Sequence, residues 1–335
     1  MNAPKGRNDY PLKLTLNIKG AAAVFACPVP TLRALVEAGG IDPKRDFRGA
    51  DLRGWPLARQ DVRGFNFAGA NLCGTGIENA IFDSTTIFDD ALFDGAFTPT
   101  PPPPLPDNYR EQATEMILRS KIPPAHWWPE ITWLDFFDRK LVDLTPIAHL
   151  TALNTLYLRG TQVSDLTPLA HLTALQVLEL NRTQVSDLTP LTHLTALQSL
   201  NLNRTQVSDL TPLAQLTALQ NLTLWDTQIS DISPLAHLTA LQSLNLNRTQ
   251  ISDLTPLTLL TALQTLYLRG TYVRDITILA QLTALRSLYL WGTQVSDIAA
   301  LSSHSGLIVW VESDDRAKEL RATLAARSHV RVKTI

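Results

Sequence analysis

The sequence predicts a repeat solenoid, a stack of short coils with parallel strands, and three observations carry that expectation. From Leu150 the word "LTAL" returns every 22 residues, at Leu172, Leu194, Leu216, Leu238, Leu260 and Leu282. From Phe47 an apolar residue returns every five residues, through Leu52, Leu57, Val62, Phe67, Leu72, Ile77, Phe82 and Ile87. The proline-rich stretch "TPTPPPPLPDNY" at 98–109 separates the two beats. Fixed periods of this kind mark architectures in which each repeat packs only on its neighbours.

Each 22-residue unit follows L-x-x-L-x-x-L-x-L-x-x-T-x-[VI]-x-D-[LI]. A degenerate eighth unit precedes them from Trp128, with Ile131, Leu134, Phe136, Leu141, Asp143, Leu144, Pro146 and Ile147 in register. Leu156 and Leu158 alternate with Thr155, Tyr157 and Arg159, the period of a strand with one buried face. In "DLTPLAHL" Thr167 is placed to cap a helical turn with Pro168 at its first position. Each unit therefore reads as strand, turn, short helical turn and return. One unit cannot bury its leucines, whereas a stack shares one core, at about 1.5–3 kcal/mol per buried leucine.

These units resemble the internalin-type leucine-rich repeat over residues 128–303. The resemblance implies a right-handed horseshoe with a parallel β-sheet on the concave face and short helical turns on the convex side. It also implies that partners bind on the concave face. One column departs from the family pattern, with Thr161, Thr183, Thr205, Thr227, Thr249, Thr271 and Thr293 standing where Asn is usual. A hydroxyl can also satisfy backbone groups in a turn, so the fold expectation stands.

The five-residue beat, with "GADLRG" and "AGANLCG", resembles the pentapeptide repeat. That resemblance implies a square right-handed β-helix with four pentapeptides per coil, so residues 46–97 supply two to three coils. Ala50, Ala70 and Ala80 suit inward corners, whereas Trp55, Gln60 and Phe65 do not. After Phe82 two registers are open, one through Ile87 and one shifted by an inserted residue to Phe88 and Phe93.

The remaining segments read as punctuation. Residues 1–45 are expected to form an N-terminal cap with a helix at 29–40 stopped by Gly39 and Gly40. Residues 98–109 read as a polyproline II linker, and 110–127 as a helical cap of the leucine-rich repeats. Residues 304–335 read as a strand–helix–strand cap, with helix 313–327, strand 329–335, and Leu307 and Trp310 on the core columns.

Composition narrows the function classes. The net charge of −2 gives no global attraction to nucleic acid or anionic membrane. Two cysteines, Cys27 and Cys73, lack metal-binding spacing and fit a reducing compartment. The opening residues lack the apolar run of a secretory leader, and no segment is long enough to span a bilayer. A cytoplasmic protein is expected, with leader-independent export left open. No nucleophile-elbow, zincin, phosphate-loop or dinucleotide motif occurs, and catalysis is not expected.

Stacking turns one residue in every 22 into a column. Asp143, Asp165, Asp187, Asp209, Asp231, Asp253, Asp275 and Asp297 form one such column. Calcium is one reading of it; acceptance of backbone N–H groups within each turn is preferred, because each unit supplies a single carboxylate. His149, His171, His193 and His237 form another, read as outer-turn residues rather than a zinc or copper site, so no metal or cofactor is expected. The strand face differs in kind. Its varying columns hold Trp133, Phe137, Tyr157, Arg159, Arg182, Arg204, Trp225, Arg248, Tyr267, Arg269, Tyr289 and Trp291, the residue types of binding hot spots. The expected function is a non-catalytic scaffold that binds a protein or peptide on this face. The alternatives are nucleic-acid or phosphate binding through the Arg and aromatic stripe, opposed by the interspersed Asp135, Glu179 and Asp226, and DNA mimicry by the pentapeptide coil. The sequence leaves the partner's identity and the oligomeric state open.

Overall fold

The computed structural model describes residues 42–44, 47–82, 85–95, 103–324 and 328–334. The chain divides into two compact units, one comprising Met1–Asp107 with Pro124–Trp127, the other Asn108–Pro123 with Trp128–Ile335. The helix expected at 29–40, Cys27 and residues 98–102 of the linker lie outside the described residues.

In the first unit the chain winds so that residues about 20 apart become neighbours. Parallel bridges join Asp51 to Asn71 and Asp61 to Ile81, and Leu52 and Val62 donate backbone bonds to Asn71 and Ile81 carbonyls. Phe47, Leu52, Leu57, Val62, Phe67, Leu72 and Ile77 are buried together. Those from Phe47 to Leu72 each start a four-residue turn, such as Ala50 N–H to Phe47 C=O, whose third residue is left-handed; Gly49, Gly54, Gly64, Gly69 and Gly74 meet that need without strain, Arg59 takes the place after Leu57, and Ile77 opens a 3-10 turn instead. The second bridge pair, Asn66 with Ile87 and Asn71 with Leu92, spans 21 residues, which places an inserted residue after Phe82. Phe88 and Phe93 accordingly pack on the core, whereas Ile87 and Leu92 are 40% and 57% exposed. Trp55 and Phe65, judged unsuitable for inward positions from sequence, are both buried. Phe65 packs on the rings of Phe47 and Phe67, and the buried Thr75 and Thr86 turn their hydroxyls to the Leu72 and Val62 carbonyls. Gln60 is half-buried.

The second unit is built on one ten-stranded parallel sheet in sequential order. Strands β1 (Trp133–Asp135), β2 (Thr155–Tyr157), β3 (Val177–Glu179), β4 (Ser199–Asn201), β5 (Asn221–Thr223), β6 (Ser243–Asn245), β7 (Thr265–Tyr267) and β8 (Ser287–Tyr289) repeat at 22 residues, as in Leu156↔Leu178↔Leu200. Helix α1 (Tyr109–Leu118) buries Ala113 and Ile117 beside β1. The inward leucines of every coil, such as Leu194, Leu197, Leu200 and Leu202, are essentially inaccessible. Each Thr of the substituted column is held inside its turn, with Thr183 Oγ1 donating to the Leu180 carbonyl at 2.6 Å and Thr249 Oγ1 to Leu246 at 2.6 Å. One hydroxyl therefore closes each turn.

The convex turns are 3-10 rather than α-helical, as at Thr167–Leu169. Thr167 is the first residue of that turn and Pro168 the second, so the cap is not the threonine hydroxyl. Instead Asp165 Oδ1 accepts the Thr167 N–H at 2.8 Å, and the same bond recurs from Asp143 to Asp297. A carboxylate satisfies the orphan donor that opens each turn.

Beyond β8 the step shortens. Strand β9 (Ile308–Val311) pairs Leu288 with Val309 and Tyr289 with Trp310, a spacing of 21. Val309, not Trp310, thus continues the core column, and Trp310 joins the outward face. Helix α2 (Asp314–Thr323), capped by the Ser313 hydroxyl, buries Ala317 and Leu320 and leads to β10 (Arg331–Thr334), which pairs with β9. Arg321 Nη2 donates to the Val332 carbonyl on β10 at 2.5 Å.

Two outcomes follow. Leu222→Ala, in the middle of the sheet, lowers unfolding free energy by about 2–5 kcal/mol in urea titration, whereas Tyr272→Ala, 60% exposed, changes it by less than about 0.5 kcal/mol. Asp143, Asp165, Asp187, Asp209 and Asp253 are held below the ordinary carboxylate range by side-chain and backbone hydrogen bonds from the Thr two residues on, and Asp275 by the backbone bond first. A depressed folded-state value gives stability that is present above the unfolded carboxylate value and lost as pH falls through the folded one. The melting temperature is therefore expected to fall across that acidic window, and to fall less in a variant carrying Asn at these six positions.

Candidate functional site

The sheet places its non-core side chains on one face in columns about 4.8 Å per rung. The central column runs Asp135, Tyr157, Glu179, Asn201, Thr223, Asn245, Tyr267, Tyr289 and Trp310. Its middle is engaged internally. Asn201 Nδ2 donates to Glu179 Oε2 at 2.6 Å, and Thr223 Oγ1 donates to Asn201 Oδ1 at 2.8 Å. Burial raises the Glu179 carboxyl above its ordinary value, against the lowering effects of Asn201 and Arg159.

Its C-terminal end is a stack of rings. Tyr267 and Tyr289 lie 4.4 Å apart at 14°, and Tyr289 and Trp310 lie 5.9 Å apart at 9°. Adjacent parallel strands in register force this stacking, because each ring projects from the same pleat of its strand. Burial also raises the Tyr267 phenol, with Tyr289 adding to the shift.

The neighbouring column sets guanidiniums on ring faces. Arg159 lies 4.7 Å from the Phe137 ring centroid and Arg269 3.8 Å from Trp291. Trp225 is flanked by Arg204 at 4.4 Å and Arg248 at 5.9 Å, and Arg204 pairs with Asp226 at 3.3 Å. Such contacts hold a flexible cation in one orientation. Asn203 and Asn247, candidates for adaptable hydrogen bonding by type, instead accept the Trp225 and Arg269 backbone N–H groups at 2.7 Å.

The structure thus brings the predicted residues onto one surface in groups. Tyr267, Arg269, Tyr289 and Trp291 cluster at one end, Arg204, Trp225 and Arg248 in the middle, and Phe137 with Arg159 at the other end. Tyr157 and Arg182 are exposed. Trp133, 44% exposed, carries the Arg110 guanidinium at 5.5 Å and lines a cavity of about 430 Å³ with Arg110, Glu111, Thr114, Glu115, Asp135 and Arg139. Three contributors escaped the sequence reading: Arg110, Trp310, and Lys333, whose ammonium lies 5.5 Å from the Trp310 ring. The 21-residue step to β9 was the available signal for Trp310. Of the histidine column, His149 stacks on Trp128 at 4.9 Å while His171, His193 and His237 are exposed. Among the described residues no cluster of three or more His, Cys, Asp or Glu is arranged to hold a metal, and no helix is long and apolar enough to cross a membrane.

This geometry has relatives. A profile for paired leucine-rich repeats matches residues 173–215, 217–259 and 261–303. Internalin C2 of Listeria monocytogenes is 35% identical, with a TM-score of 0.56 over 62% of this chain and 94% of its own. The chain belongs to the leucine-rich repeat family. Internalin F of the same organism is similar at 27% identity and a TM-score of 0.51, over 69% of this chain and 76% of its own. A leucine-rich repeat protein of Leptospira interrogans shares the fold at 23% identity and a TM-score of 0.55, over 60% of this chain and 54% of its own. Curated protein sequences give no match. Leucine-rich repeat proteins generally mediate protein–protein interaction, and internalin-like folds are typically scaffolds rather than enzymes.

The half-buried Glu179 offers a direct check on the electrostatics of this leucine-rich repeat face. A raised folded-state carboxyl value weakens the fold above that value and ceases to do so below the unfolded value. Glu179→Gln is expected to melt no lower than the wild type at neutral pH, and the two melting curves are expected to converge as pH drops into the carboxylate range.

Proposed function

We propose that the chain is a non-catalytic scaffold that binds a protein or peptide partner on the strand face of its leucine-rich repeats. The observation that carries this reading is the stack Tyr267–Tyr289–Trp310 beside the Arg269–Trp291 pair. Rigid aromatic surface bearing oriented donors is the composition of interface hot spots, because little side-chain entropy remains to be lost on binding. The self-satisfied Glu179–Asn201–Thr223 ladder in the middle makes the ends of the face the energetic anchors. Within the same reading, residues 46–97 are a pentapeptide-repeat coil that precedes the scaffold in the chain, supported by the five-residue burial rhythm and the bridges between residues 20 or 21 apart.

The test is a combined Tyr267→Ala, Tyr289→Ala, Trp291→Ala variant. Its circular dichroism and cooperative melting are expected to match the wild type, because all three side chains lie outside the leucine core. Its capture of the partner in pull-down is expected to fall by at least about tenfold, the loss of one to two hot-spot contributions. Capture equal to wild type by a folded variant would remove the strand face as the binding surface.

A further inference from the structure

Three residues past the end of each of strands β1 to β8 one residue adopts left-handed backbone. In β1 to β8 order this column holds Asp138, Gly160, Arg182, Arg204, Asp226, Arg248, Gly270 and Gly292, all with φ between 52° and 72°. Glycine enters this region without steric cost, Asp tolerates it through local hydrogen bonding, and a long unbranched L-residue is disfavoured there. Glycine occupies the position in three units, so the coil accepts it. Three arginines nonetheless stand there, at φ of 61°, 55° and 54°.

Packing does not explain all three. Arg204 and Arg248 flank Trp225, and Arg204 pairs with Asp226 across an exposed contact of little net worth. Arg182 is exposed, and among the described residues its side chain has no ion pair, hydrogen bond or ring contact. In the adjoining column, at the same end of the row, Arg159 Nε and Asn181 Oδ1 are buried with no protein partner. Strained backbone kept where a relaxed alternative is available, beside unsatisfied polar atoms, is characteristic of a position held for a ligand.

We infer that Arg182, Arg204 and Arg248 recognise the carboxylates of an acidic, extended segment of the partner. This rests on the strand-face reading above and adds its chemistry. A guanidinium presents paired N–H donors that match a carboxylate. In the turn column and its neighbour from β2 to β8, Arg159, Arg182, Arg204, Arg248 and Arg269 face a single carboxylate, Asp226. An acidic peptide complements that excess. Asp226 interrupts the row and Glu179 lies beside it, so a continuous phosphate backbone meets repulsion that alternating side chains of a peptide avoid.

The experiment pans a displayed library of random peptides on the full chain and titrates a recovered peptide by fluorescence anisotropy. Recovered sequences are expected to be enriched in Asp and Glu. An Arg182→Gly, Arg204→Gly, Arg248→Gly variant is expected to bind them at least about tenfold more weakly, while its melting temperature stays equal or rises as the left-handed strain is relieved. Peptides without acidic enrichment that still require Tyr267, Tyr289 and Trp291 would overturn this inference and leave the strand-face reading standing. Failure to recover any peptide would overturn this inference, and the strand-face reading would then rest on the pull-down with the Tyr267, Tyr289 and Trp291 variant. Binding of a short DNA duplex as tight as the peptide, lost in the variant, would assign the row to phosphates instead. A melting temperature that falls in the glycine variant would make the arginines structural, and that too overturns the inference.

Discussion

Leucine burial between neighbouring coils is the interaction on which the second unit depends. A coil such as Leu194–Gln215 presents Leu194, Leu197, Leu200 and Leu202 to an interior walled by the coils before and after it. Repeat proteins of this kind gain stability as intrinsic unit terms plus nearest-neighbour terms, and the neighbour terms dominate when one unit has no core of its own. The polar apparatus serves this end. The Thr hydroxyl closes the turn after each strand and the Asp carboxylate satisfies the donor that opens each 3-10 turn, so the backbone can reverse at every coil without buried orphan groups.

The same constraint separates framework from surface. Core, Thr and Asp positions hardly vary from unit to unit, because every coil meets the same neighbours. Strand-face positions meet solvent, and there Tyr, Trp, Arg, Asn and Glu alternate. Register then converts sequence spacing into contact. Tyr267 and Tyr289 become a stacked pair, and Arg269 comes to lie on Trp291. Two Asn acceptors show how the face is stiffened: Asn203 and Asn247 anchor the backbone of the next rung and so fix the stems of Trp225 and Arg269.

The framework was legible in the sequence because repetition makes positions 22 apart equivalent, and the columns of the candidate face follow from that arithmetic. What escaped the reading had identifiable causes. A 22-residue step puts Trp310 on a core column, but β9 arrives after 21 residues, and a one-residue slip moves a side chain to the opposite face. The burial of Trp55 and Phe65 depends on the neighbours that the coil brings to them, for Phe65 the rings of Phe47 and Phe67, a pairwise property no single position displays. Arg110 and Lys333 lie outside the repeats, so periodicity says nothing of them. The left-handed arginines were hinted at only by the glycines that share their column.

Deleting residues 216–237 tests the dependence of fold and face on register most directly, because it removes one whole coil and leaves Leu194–Gln215 to meet Leu238 onward in the original phase. Cooperative unfolding with undiminished ellipticity per residue, at a modestly lower melting temperature, is the expected result, and deletion of residues 216–226 is expected to lose cooperativity because it removes β5 with Leu216, Leu219, Leu222 and Leu224 and leaves half a coil between its neighbours. If the two deletions unfolded alike, neighbour burial in a fixed 22-residue register would not be what holds this molecule together.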